Sequence, residues 1–94
     1  MSGELPVHWS PAALRDLDGV LEYLTAHNPL AAERLVEEIL EASDSLATLA
    51  HRGKPGRVPG TREMLTDRPY VLVYRVEEGQ GVRLLRLWHA AIIR

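Results

Sequence analysis

The chain contains no cysteine, which excludes disulfides, thiol nucleophiles and thiolate metal sites together. Phenylalanine is also absent, so leucine, valine and isoleucine must fill the interior. No apolar run approaches the roughly 20 residues of a membrane span. The opening "MSGELPVHW" has none of the features of a secretory signal, so a cytoplasmic location and no membrane partner are expected. HExxH is missing, and His8, His27, His51 and His89 show no metal-ligand spacing. Neither a Ser-His-Asp order nor a pair of catalytic carboxylates can be picked out. The stretch "GKPGRVPGTRE" at residues 53–63 has the glycines of a phosphate loop. However, it lacks the Lys-Ser/Thr pair after the last glycine and leads into a strand, where a Walker loop leads into a helix. Nothing calls for a cofactor or a metal.

What is present is a single domain, residues 1–94, with a sharp division of charge. Residues 1–50 hold two arginines against nine acids, and residues 51–94 hold nine lysines and arginines against four acids. The net charge of −2 hides this asymmetry, which predicts an acidic face and a basic face, the second suited to an anionic partner.

The periodicity changes at Gly53. Before it, "LPVHWS" alternates as a short strand, and Ser10-Pro11 is a cap followed by a first-turn proline. Leu14, Leu17, Leu21 and Leu24 then form a helical stripe, which Asn28-Pro29 ends while starting a second helix. That helix carries a seam of Leu35, Ile39, Ala42, Leu46 and Leu49, with its acids mostly off the seam. So short a turn predicts an antiparallel helical hairpin. Beyond Gly53, "TREMLT", "PYVLVYRV" and "VRLLRLW" read as strands, the last two joined by the hairpin loop "EEGQG". The expected fold is α+β, ordered β-α-α-β-β-β, with the helical hairpin on one face of a mainly antiparallel four-stranded sheet.

Arg57, Arg62, Arg68, Arg75, Arg83, Arg86 and Arg94 all fall in the loop-and-sheet half. Guanidinium groups match phosphate in paired hydrogen bonds, so some of these are expected to face a partner and others to pair with the acids of the helices. Simple strand alternation puts Arg83 and Arg86 on opposite faces. Trp9 and Trp88 are expected in the core, and His27 and His51 near helix C-termini, where imidazole suits the dipole.

The pieces "WSPAALRDLDGVLEYL", "NPLAAERLVEEI", "GRVPGTREML", "PYVLVYRV" and "LLRLWH", in this order and spacing, resemble the RelE/ParE superfamily and its ParE branch, toxins of type II toxin–antitoxin modules that include plasmid-stabilisation proteins. The resemblance implies the fold reached above from periodicity. It also implies a growth-inhibiting protein neutralised by a cognate antitoxin, within a higher-order complex. RelE-like members cut messenger RNA on the ribosome with basic residues; ParE-like members bind DNA gyrase without an accepted catalytic set. On the RelE pattern Arg62 keeps a basic residue, whereas Met64, Val71 and Ala90 stand where others are expected. His89 is the remaining candidate for catalytic proton transfer. The ParE reading, a gyrase binder, is therefore favoured. The expected target-binding set is Arg57, Arg62, Arg68, Arg75, Arg86 and His89. The alternatives are a ribosome-dependent ribonuclease and a non-toxic relic that holds its antitoxin. In each case the antitoxin is expected on the basic half, through a segment carrying Asp and Glu beside apolar anchors.

Overall fold

The computed structural model describes residues 4–66 and 70–89. A short strand β1 (Val7–Trp9) leads into helices α1 (Pro11–His27) and α2 (Pro29–Ser45). Strands β2 (Lys54–Pro55), β3 (Arg62–Leu65), β4 (Tyr70–Glu77) and β5 (Gly81–His89) follow. The sheet order is β1-β5-β4-β3-β2, with β1 parallel to β5 and the other neighbours antiparallel.

Local chemistry explains the helix boundaries. Ser10 Oγ accepts the Ala13 amide at 3.0 Å, and Asn28 Oδ1 accepts the Ala31 amide at 3.2 Å. The Asn28 amide meanwhile donates to the Leu24 carbonyl, so one residue closes α1 and opens α2. The helix α2 stops at Ser45, short of the seam read from the sequence. Leu46 is still fully buried by the turn that follows, but Leu49 is 58% exposed. Leu14, likewise expected on the buried stripe, is 48% exposed. Ala13 takes its place, because α1 meets the sheet along Ala13, Leu17, Val20, Leu21 and Leu24. The core joins these to Leu35, Ile39 and Leu46 of the second helical segment and to Met64, Leu72, Tyr74, Val82, Leu84 and Leu87 of the sheet. The helices thus cover one sheet face and leave the other open.

The expected element order is present, with one strand more. Lys54 and Pro55, read as part of a connector, pair with Glu63 and Arg62 as a fifth, edge strand. Proline cannot donate to a ladder, and an edge position suits it. The flanking glycines are required by close approach. A Cβ on Gly53 would lie 2.7 Å from the Tyr74 hydroxyl, and one on Gly56 would collide with the Thr61 side chain.

The second departure decides the geometry of the sheet surface. Val73 pairs with Arg86 and Tyr74 with Leu84, so Leu85 is an extra residue in β5, a β-bulge. Ser10 fixes it: its amide donates to the Leu84 carbonyl at 2.9 Å and its hydroxyl to the Leu85 carbonyl at 3.0 Å. The residue that caps α1 therefore also satisfies the irregular backbone beside it.

Candidate functional site

The bulge overturns the placement of the arginines read from alternation. Arg75 pairs with Arg83, and Val73 pairs with Arg86. Val73 and Arg75 are two apart on the regular strand β4 and share a face, so Arg83 and Arg86 share it too. That face is opposite Leu72 and Tyr74 and is the one the helices leave open. Register adds His8 beside Arg83, and places Lys54, Glu63, Val73 and Arg86 in one row across the sheet. The next row is Leu65, Val71 and Trp88. The open face is thus basic at its centre and apolar toward the end of β5.

The arginines on it are differently engaged. Arg75 and Arg83 are exposed cross-strand neighbours of like charge, an arrangement that costs stability. Arg83 Nε meets Glu77 Oε1 at 3.3 Å. Arg86 reaches round the edge of β5 and donates twice to Asp16, Nε to Oδ2 at 2.8 Å and Nη2 to Oδ1 at 3.1 Å. Asp16 Oδ2 also accepts the Leu87 amide at 3.0 Å. That amide lies on the stretch of β5 that β1 no longer covers, since β1 ends at Trp9 opposite Leu84. Burial on its own would raise the Asp16 carboxyl. The hydrogen bonds from Arg86 and Leu87, with the charges of Arg86 and Arg15, outweigh it and hold the group below the ordinary carboxylate value. The Arg86 guanidinium lies 5.0 Å from the Trp88 ring centroid, a cation–π contact.

The remaining expected site residues divide. Arg62 faces the helix side with its partner Tyr74. It donates to the carbonyls of His51 at 3.2 Å and Gly53 at 2.7 Å, so it holds the connector in place. Arg57 is exposed in that connector, and its amide donates to Glu63 Oε2 at 3.1 Å. Arg68, and the expectation attached to Ala90, lie outside the described residues. His89 pairs with Tyr70 on the helix face, with the two rings edge to face at 5.2 Å. Arg75 and Arg83 therefore sit on the opposite side of the sheet from His89, with Arg86 turned round the edge to Asp16. Of the other expectations, Trp9 packs against the core, while Trp88 is half-buried under Arg86. His27 ends α1, with Nδ1 2.8 Å from the Tyr23 carbonyl. His51 lies six residues past the end of α2, and its contribution is its backbone carbonyl.

Three residues escaped the sequence reading. Glu63 is only 7% exposed although it lies on the open face, where the connector folds over it. Its alternation with Met64 and its solitary negative charge among "KPGRVPGTR" were the available signals. Asp16 is bonded to a residue seventy positions away, and no local pattern marks it. Tyr74 is fully buried, with its hydroxyl donating to the Ala50 carbonyl and accepting the Gly53 amide.

Beside His89, a broadly open groove of about 500 Å³ runs between α1 and the end of the sheet. Val20, Tyr23, Tyr70 and Trp88 line it, with Arg15 and Asp16 at its margin. Among the described residues no group of histidines and carboxylates is arranged to hold a metal ion, and no helix is long and apolar enough to cross a membrane.

Known proteins are similar to this chain in sequence and in fold. Residues 7–94 match the family model for the ParE toxin of the type II toxin–antitoxin system parDE. Y4kP of Sinorhizobium fredii is 40% identical over 85 residues, covering 89% of this chain and 86% of the relative. Toxin RelE2 of Caulobacter vibrioides is 38% identical over 85 residues, covering 90% and 94%. Among solved structures, a chain of the chromosomal ParDE system from P. aeruginosa superposes with a TM-score of 0.82 at 27% identity, covering 94% of this chain and 98% of that one. A chain of the toxin–antitoxin complex RelBE2 from Mycobacterium tuberculosis gives 0.61 at 26% identity, covering 95% and 94%. The chain belongs to the ParE toxin family of type II toxin–antitoxin systems.

Proposed function

We propose that this toxin arrests growth by binding DNA gyrase through the open face of its sheet, without cutting nucleic acid, and that a cognate antitoxin neutralises it. The observation that carries the reading is the separation of Arg75 and Arg83 from His89 across the sheet, with Arg86 committed to Asp16 at the edge of β5. Cleavage of a phosphodiester needs a proton-transfer group and phosphate-binding cations converging on one reacting centre. Here the best proton-transfer candidate contacts Tyr70 beneath the sheet, while Arg75 and Arg83 project above it and Arg86 is held by Asp16 at its edge. Binding makes no such demand, and a row of arginines serves it directly. The solved relatives' descriptions as a ParDE system and a toxin–antitoxin complex support the antitoxin as partner. A gyrase-directed role is also a cytoplasmic one.

The test is induced expression with DNA supercoiling and mRNA integrity followed separately. Supercoiling should change first, with mRNA intact. A His89→Gln protein, which keeps polarity but cannot exchange protons near neutrality, should remain toxic. Charge reversal at Arg75 and Arg83 together should abolish killing. Early mRNA cleavage with supercoiling unaffected would establish the ribonuclease reading instead, and a folded His89→Gln protein that no longer stops growth would support it.

A further inference from the structure

Two arginine–carboxylate pairs on the sheet differ in kind. Arg86 and Asp16 make two hydrogen bonds, at 2.8 and 3.1 Å, and Asp16 also accepts the Leu87 amide, so that pair is part of the fold. Arg83 and Glu77 meet through a contact of 3.3 Å on the exposed surface, longer than an ordinary N–H···O bond. An exposed ion pair contributes little to stability in water. Glu77 lies two residues beyond Arg75 on β4 and shares the open face with it. Its carboxylate therefore rests on Arg83 as an exchangeable ligand, and its position marks where another carboxylate can bind.

The surroundings say what that second carboxylate belongs to. Arg83 lies between Arg75 on β4 and His8 on β1, so two guanidinium groups and an imidazole stand in one row across three strands. Neighbouring strands lie about 4.8 Å apart, which makes the row about 10 Å long. Directly opposed side chains such as Arg75 and Arg83 have Cβ atoms about 4.5–5.5 Å apart. Carboxylate residues three or four apart on a helix have nearly that separation, about 5–6 Å. Two cations held side by side destabilise the free sheet, and anions seated on both relieve it. A nucleic acid suits the surface less well. The chain carries a net charge of −2, and Glu63 and Glu77 lie on the same face, whereas a nucleic-acid footprint is a continuous basic stripe. The face also turns apolar toward Leu65, which is 68% exposed, and apolar contact is what the core of a protein interface supplies.

We propose that the gyrase surface met by this toxin is an acidic protein segment, one carboxylate of which displaces Glu77 from Arg83 while a second binds Arg75. His8 extends the same row and donates beside Arg83. Glu77 is then a built-in competitor that lowers the affinity of the site. The inference rests on the gyrase reading above, and adds to it the chemistry of the partner and the roles of His8 and Glu77.

Purified toxin variants are titrated with purified DNA gyrase, free of DNA and again with DNA bound, and urea unfolding checks that each variant is folded. Glu77→Gln should tighten binding to DNA-free gyrase by about two- to fivefold, the size of one exposed ion pair. The gain should shrink when Arg83 is already Gln, because the competitor then has no arginine to release. Arg83→Glu should weaken binding by roughly tenfold or more, and His8→Glu by less, both with slower association and an altered salt dependence. A folded Arg83→Glu protein that binds as wild type does, or a Glu77→Gln protein that binds no tighter, overturns the proposal and leaves gyrase as the target. An equal gain from Glu77→Gln with and without Arg83 also overturns it, since Glu77 would then act by its charge alone. Binding that requires DNA on the gyrase, or that short duplex DNA competes away, overturns it in favour of a nucleic-acid occupant. Failure of wild-type toxin to bind gyrase in either form removes the underlying reading along with the proposal, and is told apart because wild type itself fails.

Discussion

Replacing Tyr74 by phenylalanine tests how the connector between helix and sheet is held. The ring is fully buried in the middle of β4, and the substitution removes one oxygen while keeping the packing. That oxygen donates to the Ala50 carbonyl at 2.8 Å and accepts the Gly53 amide at 2.9 Å. Ala50 and Gly53 are both buried, so neither group gains water without local opening. An orphaned buried donor or acceptor costs about 1–3 kcal/mol, so the pair should cost about 2–4 kcal/mol after partial relaxation. Against a total stability of about 5–15 kcal/mol this is large. For a domain of this length it corresponds to a Tm lowered by roughly 10–30 °C. Urea unfolding followed by far-UV circular dichroism should show a lower midpoint with an unchanged slope. A companion variant sharpens the assignment. Gly53→Ala places a Cβ 2.7 Å from the hydroxyl and 2.9 Å from Cε1, so it disturbs the same hydrogen bond from the other side. The double variant should therefore lose less than the two single losses added together. A Tyr74→Phe loss below about 0.5 kcal/mol, less than one typical intramolecular hydrogen bond, would refute the claim that these bonds anchor the connector.

Ser10→Ala removes both the α1 cap and the partner of the Leu85 carbonyl, and should cost about 1–2 kcal/mol in urea unfolding. Asn28→Ala should cost about 1 kcal/mol by the same measurement, since Asn28 caps the second helix. Asp16 titrates lower in the folded than in the unfolded chain, so its contribution is complete above its ordinary value and vanishes as pH falls through the folded one. Wild type and Asp16→Asn should accordingly converge in stability as pH falls from about 5 toward 2, and a constant gap between them would contradict this assignment. Arg75→Glu replaces a like-charge neighbour of Arg83 with an opposite one, and should raise stability by roughly 0.2–1 kcal/mol while reducing killing in an induced-growth assay.

Local rules were enough for the helices and the long strands. Ser10-Pro11 and Asn28-Pro29 state where helices begin, because capping and proline geometry act within four residues. The β-branched and aromatic run of β4 and the glycines of the hairpin loop are equally local, with Gly79 and Gly81 at positive φ. From these, with the family motifs, the element order and the basic character of the second half followed. What depends on partners distant in sequence was not legible. Alternation has a period of two, so a single bulged residue, Leu85, reverses the face assigned to everything beyond it. That bulge is held by Ser10, seventy-five positions away. A separation of seventy positions likewise hides why Arg86 belongs to Asp16, and only the pairing of strands shows why Arg62 serves two backbone carbonyls and why His89 ends beneath the sheet against Tyr70. Residue types marked the second half of the chain as basic. Only the register of the sheet decided which arginines stand on its open face, because register is set by pairing between strands and by packing against the helices.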